Sequence, residues 1–259
     1  MRFITAVHTD IGIKKNTNQD SALIIEANSD LGTILLTVIC DGMGGLAKGE
    51  VASSTVIAAF SRWFERELVD LLPELSDSYR FEELLFSEWK RIIYNCNAKI
   101  SSYAHSIGAS MGTTLNAVLF LQGRYYIVNV GDSRAYRITD SLVQLTKDQT
   151  FIQREMDMGR MTPEEARVSP QRNVLLQCVG ASDYIEPDFV TGDFGPDEVF
   201  MQCSDGFRHI VTPEEIYQCL CPQNLVSEQA MIDNAVYLTD LNKYRREQDN
   251  ITVILVKTE

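Results

Sequence analysis

Val38-Ile39-Cys40-Asp41-Gly42-Met43-Gly44-Gly45 is the stretch whose reading decides the fold of this 259-residue chain. The apolar, β-branched run from Ile34 to Cys40 has the pattern of a buried strand, and it stops abruptly at Asp41. Three glycines follow within four residues, so the backbone is free to turn sharply and to pass close to a ligand. Gly49-Glu50-Val51-Ala52-Ser53 then opens apolar spacing of helical period. A carboxylate at a strand end, beside a bare glycine carbonyl, suits a hard cation such as Mg2+ or Mn2+. Asp-Gly by itself is a common turn. What lifts it above a turn is that acids at strand ends recur along the chain.

Upstream, Phe3 to His8 reads as a strand and Ser21 to Ile25 as a second one. The polar segment Lys14 to Asp20 lies between them, which predicts a hairpin with Asp20 at its rim. Downstream, helices are predicted from about Gly49 to Val69 and from about Phe81 to His105, with a polar break around Pro73 to Ser78. An all-β section follows: Gly112 to Leu121, Arg124 to Val130 and Arg134 to Ile138, with Gln122-Gly123 as a tight turn. Gly131-Asp132-Ser133-Arg134 puts another acid at a strand end. The segment at about 145–183 is polar and irregular, interrupts the strands, and reads as a surface flap. Val199 to Cys203 is a strand that ends in Ser204-Asp205-Gly206, a second Asp-Gly after a buried run. Thr162-Pro163-Glu164-Glu165 and Thr212-Pro213-Glu214-Glu215 both carry the capping threonine and first-turn proline of a helix start. A longer helix is predicted over Leu225 to Leu241, and Asp249-Asn250 opens the last strand, Ile251 to Lys257. With no repeat, low-complexity tract or linker, residues 1–259 are read as one domain.

Hydrophobic residues make up 45% and charged residues 23%, which fits a globular chain with a sizeable core. The formal net charge of −13 argues against a nucleic-acid binder, which would show a basic face. There is no charged-then-apolar leader and no apolar run long enough to span a bilayer. The six cysteines show no paired CxxC spacing and mostly sit in apolar runs, as reduced core residues of a cytoplasmic protein would.

Asp20, Asp41, Asp132, Asp205 and Asp249 all fall at predicted strand ends, which a sheet brings close together. Crowded carboxylates raise one another's pKa unless a cation lies between them. The set therefore implies bound divalent metal, with much of its coordination from water. Two such ions are able to activate a water and polarise a phosphoryl oxygen, so the chemistry expected is in-line hydrolysis of a phosphate ester. Competing motifs are weaker. Cys203 to Arg208 has one residue too few for a cysteine-phosphatase loop. The three histidines lack zinc spacing, and no GxSxG elbow or P-loop lysine is present.

TDIGIKKNTNQDS, CDGMGGLAKGEVAS, MGTTL, VGDSRAY, the segment from LTKDQ to NVLLQCVG, CSDGF and QDNITVILV occur in this order over almost the whole chain. Together they resemble the metal-dependent serine/threonine protein phosphatases of type 2C (the PPM family), the bacterial branch in particular. The resemblance implies an antiparallel β-sandwich with helices on both outer faces and metals at one end. It implies two Mn2+ or Mg2+ ions, with Asp41 bridging both, the Gly42 carbonyl on the second, and Asp205 and Asp249 on the first. It assigns Asp132 to a third, weaker ion site, Asp20 to binding or orienting metal-bound water, and Asn250 to supporting Asp249. Lys15 stands where the family usually has an arginine that grips the substrate phosphate. Lysine keeps the charge and loses the bidentate fork. Met43 stands where eukaryotic members carry a histidine thought to protonate the leaving group, so a metal-bound water is left for that step. Phosphoserine and phosphothreonine proteins are the implied substrates, with a Ser/Thr kinase and its targets as partners, no nucleic acid or membrane, and a monomeric state. The competing class is a non-catalytic phosphoprotein-binding module on the same fold. Such modules usually lose metal acids, and the acids are intact here.

Overall fold

The computed structural model describes residues 1–44 and 48–259, so Gly45, the third glycine of the opening stretch, lies outside the described residues. In chain order come β1 (Phe3–Asp10), β2 (Ser21–Ser29), β3 (Gly32–Cys40) and β4 (Gly42–Gly44). Helices α1 (Gly49–Arg66), α2 (Leu68–Leu71) and α3 (Ser78–Ser106) follow. Then come β5 (Met111–Thr113), β6 (Leu115–Leu121), β7 (Arg124–Val130), β8 (Arg134–Ile138) and β9 (Leu142–Gln144). The remainder is α4 (Phe151–Asp157), α5 (Pro163–Val168), β10 (Asp188–Asp193), β11 (Val199–Cys203), α6 (Asp205–Arg208), α7 (Pro213–Leu220), α8 (Glu228–Tyr244) and β12 (Ile251–Thr258).

Two five-stranded antiparallel sheets form, in the orders β1-β12-β11-β8-β9 and β10-β7-β6-β3-β2. Alternation along single strands shows why they stack. In β3, Leu35 and Ile39 pack between the sheets with Phe120 of β6, Phe200 of β11 and Ile254 of β12. Leu36, Val38 and Cys40 of the same strand face the other way, onto Phe60 and Trp63 of α1 and Trp89 of α3. In β12, Ile251, Val253 and Leu255 pack outward against Leu220 of α7 and Leu238 of α8. Strands apolar on both faces need cover on both faces, and the result is a helix–sheet–sheet–helix sandwich, as the resemblance implied. Phe120 lies 5.0 Å from Phe200 and 5.5 Å from Phe194, both edge-on, which locks the middle layer. A buried polar chain ties the sheets near one end: Gln202 of β11 donates to the Asn116 side chain of β6 at 2.7 Å, and Asn116 donates to Asn129 of β7 at 2.9 Å.

Several expectations need correction. β1 and β2 do not form a hairpin. β1 pairs along its length with β12, and β2 pairs with β3 in the other sheet. The chain from Ile11 to Gln19 crosses between the sheets, held by Asn250, whose Nδ2 donates to the Ile11 and Thr17 carbonyls. The strand predicted from Gly112 to Leu121 breaks at Thr114, because β5 leaves the large sheet to pair with β4. The first helix ends at Arg66 rather than Val69. The helix expected from Leu225 starts at Glu228, where the Ser227 hydroxyl accepts from the Ala230 amide. β9 and β10, both short edge strands, had no strand reading. The two Thr-Pro-Glu-Glu segments start helices with threonine N-caps, as expected, and each closes a capping box with its second glutamate.

Candidate active site

The strand ends of both sheets meet at one edge of the sandwich. Asp41 follows β3, and its backbone is pinned by the two threonines of MGTTL. The Asp41 amide donates to Thr114 Oγ1 at 2.9 Å, and the Asp41 carbonyl accepts from the Thr113 hydroxyl at 3.0 Å. The side chain is left free to face the other acids. Next to it, a Cβ on Gly42 would lie 2.4 Å from the Gln19 and Gly49 carbonyl oxygens, so only glycine fits where the chain passes the start of α1.

Asp20 opens β2. Its Oδ2 accepts from Thr252 of β12 at 2.6 Å and from Ser204 at 2.9 Å, while Oδ1 is buried without a partner. Asp205 is the first residue of α6, and its Oδ1 is also buried and unpartnered. Its Oδ2 lies 3.4 Å from His209 Nε2, and His209 Nδ1 lies 3.6 Å from Glu247. Glu247 in turn accepts from the Gln248 and Asp249 amides, so the loop carrying Asp249 is built on it. Asp249 Oδ1 accepts from the Asn250 amide at 2.8 Å and takes the Lys15 ammonium at 2.7 Å. Asp132, in the turn between β7 and β8, is held by Arg208 of α6.

The electrostatics are those of buried, crowded carboxylates. Burial, together with the charges of Asp20, Asp205, Asp132 and Asp249, pushes the Asp41 carboxyl well above the ordinary range. Burial pushes Asp20 up to about 7 against the opposing hydroxyl bonds from Thr252 and Ser204, with Asp205 and Asp249 adding to the rise. Burial and Asp205 push Asp132 up to about 6, although Arg208 opposes it. The orphaned oxygens of Asp20 and Asp205, beside an Asp41 carboxyl unwilling to ionise among its neighbours, are a donor set a divalent ion would satisfy. Among the described residues no group of three or more His, Cys, Asp or Glu closes into a metal cage. The acids are close enough to oppose one another's ionisation, and a hydrated Mg2+ or Mn2+ that keeps much of its water needs no closed protein cage.

This strain sets a pH dependence. A carboxyl whose folded pKa lies above its ordinary 3.8 binds more protons folded than unfolded, so stability without metal falls as pH rises from about 4 through about 7. A bound cation removes the penalty. The rise in Tm on adding Mn2+ is therefore expected to be several degrees larger at pH 7.5 than at pH 5, read by thermal shift. An equal or smaller rise at the higher pH would refute this account of Asp20.

All the acids predicted from the sequence converge here, with Gly42, Asn250 and Lys15 among them. The sequence reading missed their supports: Thr114 and Thr113 on Asp41, Ser204 and Thr252 on Asp20, and Glu247 with His209 between Asp205 and Asp249. Ser204 and the threonines sat inside quoted motifs, so their hydroxyls were the available signal. Cys203 is fully buried in β11, and burial pushes its thiol up to about 12, which removes it as a nucleophile.

Comparison with known proteins agrees with this geometry. The family described as protein phosphatase 2C matches residues 13–231. The serine/threonine phosphatase stp of Listeria innocua is 33% identical over 253 residues, covering 96% of this chain and 93% of that protein. The solved Streptococcus agalactiae serine/threonine phosphatase superposes with a TM-score of 0.82 at 29% identity, covering all of both chains. The catalytic domain of the serine/threonine protein phosphatase PstP, solved with two manganese ions, gives 0.74 at 32% identity over 98% of this chain and 97% of that one. The chain belongs to the protein phosphatase 2C family.

Proposed function

We propose that this chain is a metal-dependent phosphatase of phosphoserine and phosphothreonine proteins, using two Mn2+ or Mg2+ ions. The observation that carries the reading is the row of acids around Asp41 with two buried carboxylate oxygens lacking any partner. Asp41, the Gly42 carbonyl, Asp205 and Asp249 would hold the ions, and Asp20 would orient water through the oxygen not taken by Thr252 and Ser204. Bound metal supplies Lewis acidity toward the phosphoryl group and lowers the pKa of the attacking water. Asn250 fixes Asp249 and, by bonding to the loop of residues 11–19, the segment that carries Lys15. The intact acid set gives no support to a non-catalytic binding module. The test is Mn2+-dependent phosphate release from phosphoserine and phosphothreonine peptides. No release with saturating Mn2+ refutes the reading.

The whole chain is read as one catalytic domain. Segment 145–183, anchored where Leu176 bonds to Gln149 and Val179 pairs with Thr113, serves as its flap. A Ser/Thr kinase sharing its targets, a monomeric state, no nucleic-acid partner and a cytoplasmic location complete the reading. The net charge supports the absence of a nucleic-acid partner. Among the described residues no helix is long and apolar enough to cross a membrane.

Lys15 is the proposed phosphate contact, supported by its ammonium facing the acids at Asp249. Lys15→Ala is expected to raise KM for a phosphopeptide by roughly five- to tenfold and to change kcat less, because the lost contact is to an anion in both ground and transition state. Lys15→Arg should be tolerated. An unchanged KM at low salt removes Lys15 from the site.

A further inference from the structure

Arg208 brings a cation of its own to this site. From the last position of α6 it reaches the turn between β7 and β8. There its Nη2 donates to the Asp132 carbonyl at 2.8 Å and to Asp132 Oδ2 at 3.2 Å. The same group lies 3.6 Å from Asp148 Oδ2. Asp148 is gripped bidentately by Arg134, with both bonds at 2.7 Å. The Arg208, Asp132 and Asp148 side chains are only 9%, 11% and 9% exposed. Two carboxylates and two guanidinium groups leave this buried quartet neutral as it stands.

The resemblance assigns Asp132 to a third ion, and the residues present do not fit one. An ion bound by Asp132 would sit about 2.1 Å from a carboxylate oxygen whose partner oxygen already takes a guanidinium. It would add two positive charges to a neutral, poorly solvated group, beside a fixed positive charge that cannot leave. Asp41, Asp20 and Asp205 differ in this respect, and the Lys15 ammonium at Asp249 belongs to a pair whose side chains are each 38% exposed, where water screens it. Asp20 and Asp205 each keep a buried oxygen with no partner, and no arginine pairs with any of the three.

We propose that Arg208 is a resident cation that takes Asp132 out of ion binding, so that divalent ions are held only at the Asp41 centre. Asp132 then acts as a positioning residue. Through Arg208 it fixes the end of the four-residue helix that begins with Asp205, and Asp148 extends the clamp to the base of the flap segment. The inference rests on the metal-dependent reading above but is tested apart from it.

The experiment counts Mn2+ ions per chain by native mass spectrometry and isothermal titration, on the full chain and without substrate. It scores only the ion that answers to residue 132. The wild type and Asp132→Asn are expected to bind the same number of ions. Arg208→Gln is expected to gain one ion, and the gain should vanish in the Arg208→Gln/Asp132→Asn double variant. Arg208→Lys, which keeps the charge, should not gain it. An ion in the wild type that Asp132→Asn removes overturns the proposal, as does a folded Arg208→Gln with no added ion. If Arg208→Gln does not fold, the wild type against Asp132→Asn still decides. Failure of the metal-dependent reading would appear separately, as no ion lost in Asp41→Asn.

Discussion

Asp41→Asn is expected to leave a folded chain whose Mn2+-dependent phosphatase rate is at least about a thousandfold lower, a loss of ~4 kcal/mol of transition-state stabilisation. The substitution keeps the shape and removes the charge. Thr113 and Thr114 hold residue 41 by its backbone, so their bonds survive the change. What is lost is the carboxylate that Asp20, Asp205, Asp132 and Asp249 all surround, and whose ionisation they oppose. The same argument predicts a second readout. Without metal, Asn at this position relieves repulsion, so the Tm of the metal-free variant should equal or exceed that of the wild type. The stabilisation by Mn2+ should shrink at the same time. A variant with near-normal turnover, or one that melts well below the wild type without metal, would show that Asp41 has been given the wrong role.

The contrast between Asp41 and its supports explains how much of this protein was legible in its sequence. An acid that ends a run such as Ile34 to Cys40 is bonded to its strand, so its position at the sheet edge is a local fact. The same holds for Asp205 after β11 and Asp249 before β12. The groups that steady these acids come from other strands. Thr252 and Ser204 meet on Asp20 only because β12 and β11 are neighbours, and Arg208 meets Asp132 only because β11 pairs with β8. No spacing in the chain encodes those meetings. The failed hairpin has the same cause: proximity in sequence favoured β1 with β2, whereas the partner of β1 is the last strand. Strands covered on both faces announced themselves by unbroken apolar runs. β10, an edge strand with the sequence Asp188-Phe189-Val190-Thr191-Gly192-Asp193, has too little buried surface to leave such a mark.

Gly42→Ala is expected to reduce activity by at least about a hundredfold and to lower Tm by roughly 5–10 °C, although a single methyl group is added. The added carbon would meet the Gln19 and Gly49 carbonyl oxygens at 2.4 Å and the Gly49 carbonyl carbon at 2.6 Å. These are backbone atoms, so no side chain is able to swing aside. Gly49 faces back with the same tightness, its own Cβ position lying 2.6 Å from the Gly42 carbonyl carbon. Relief therefore requires the first turn of α1 or the segment before β2 to move. The second choice shifts Asp20, which directly follows Gln19, and either choice shifts the Gly42 carbonyl beside Asp41. A displacement near 1 Å at a site that depends on several oxygens converging is enough for the stated loss of rate. The outcome differs from that of Asp41→Asn in a measurable way. Gly42→Ala loses stability with or without Mn2+, because its fault is steric, whereas Asp41→Asn loses only the part that metal supplies. Both are read by thermal melts at matched pH, with phosphopeptide kinetics alongside. A Gly42→Ala chain that melts and turns over like the wild type would mean that the backbone contact between residues 42 and 49 is not as close as described.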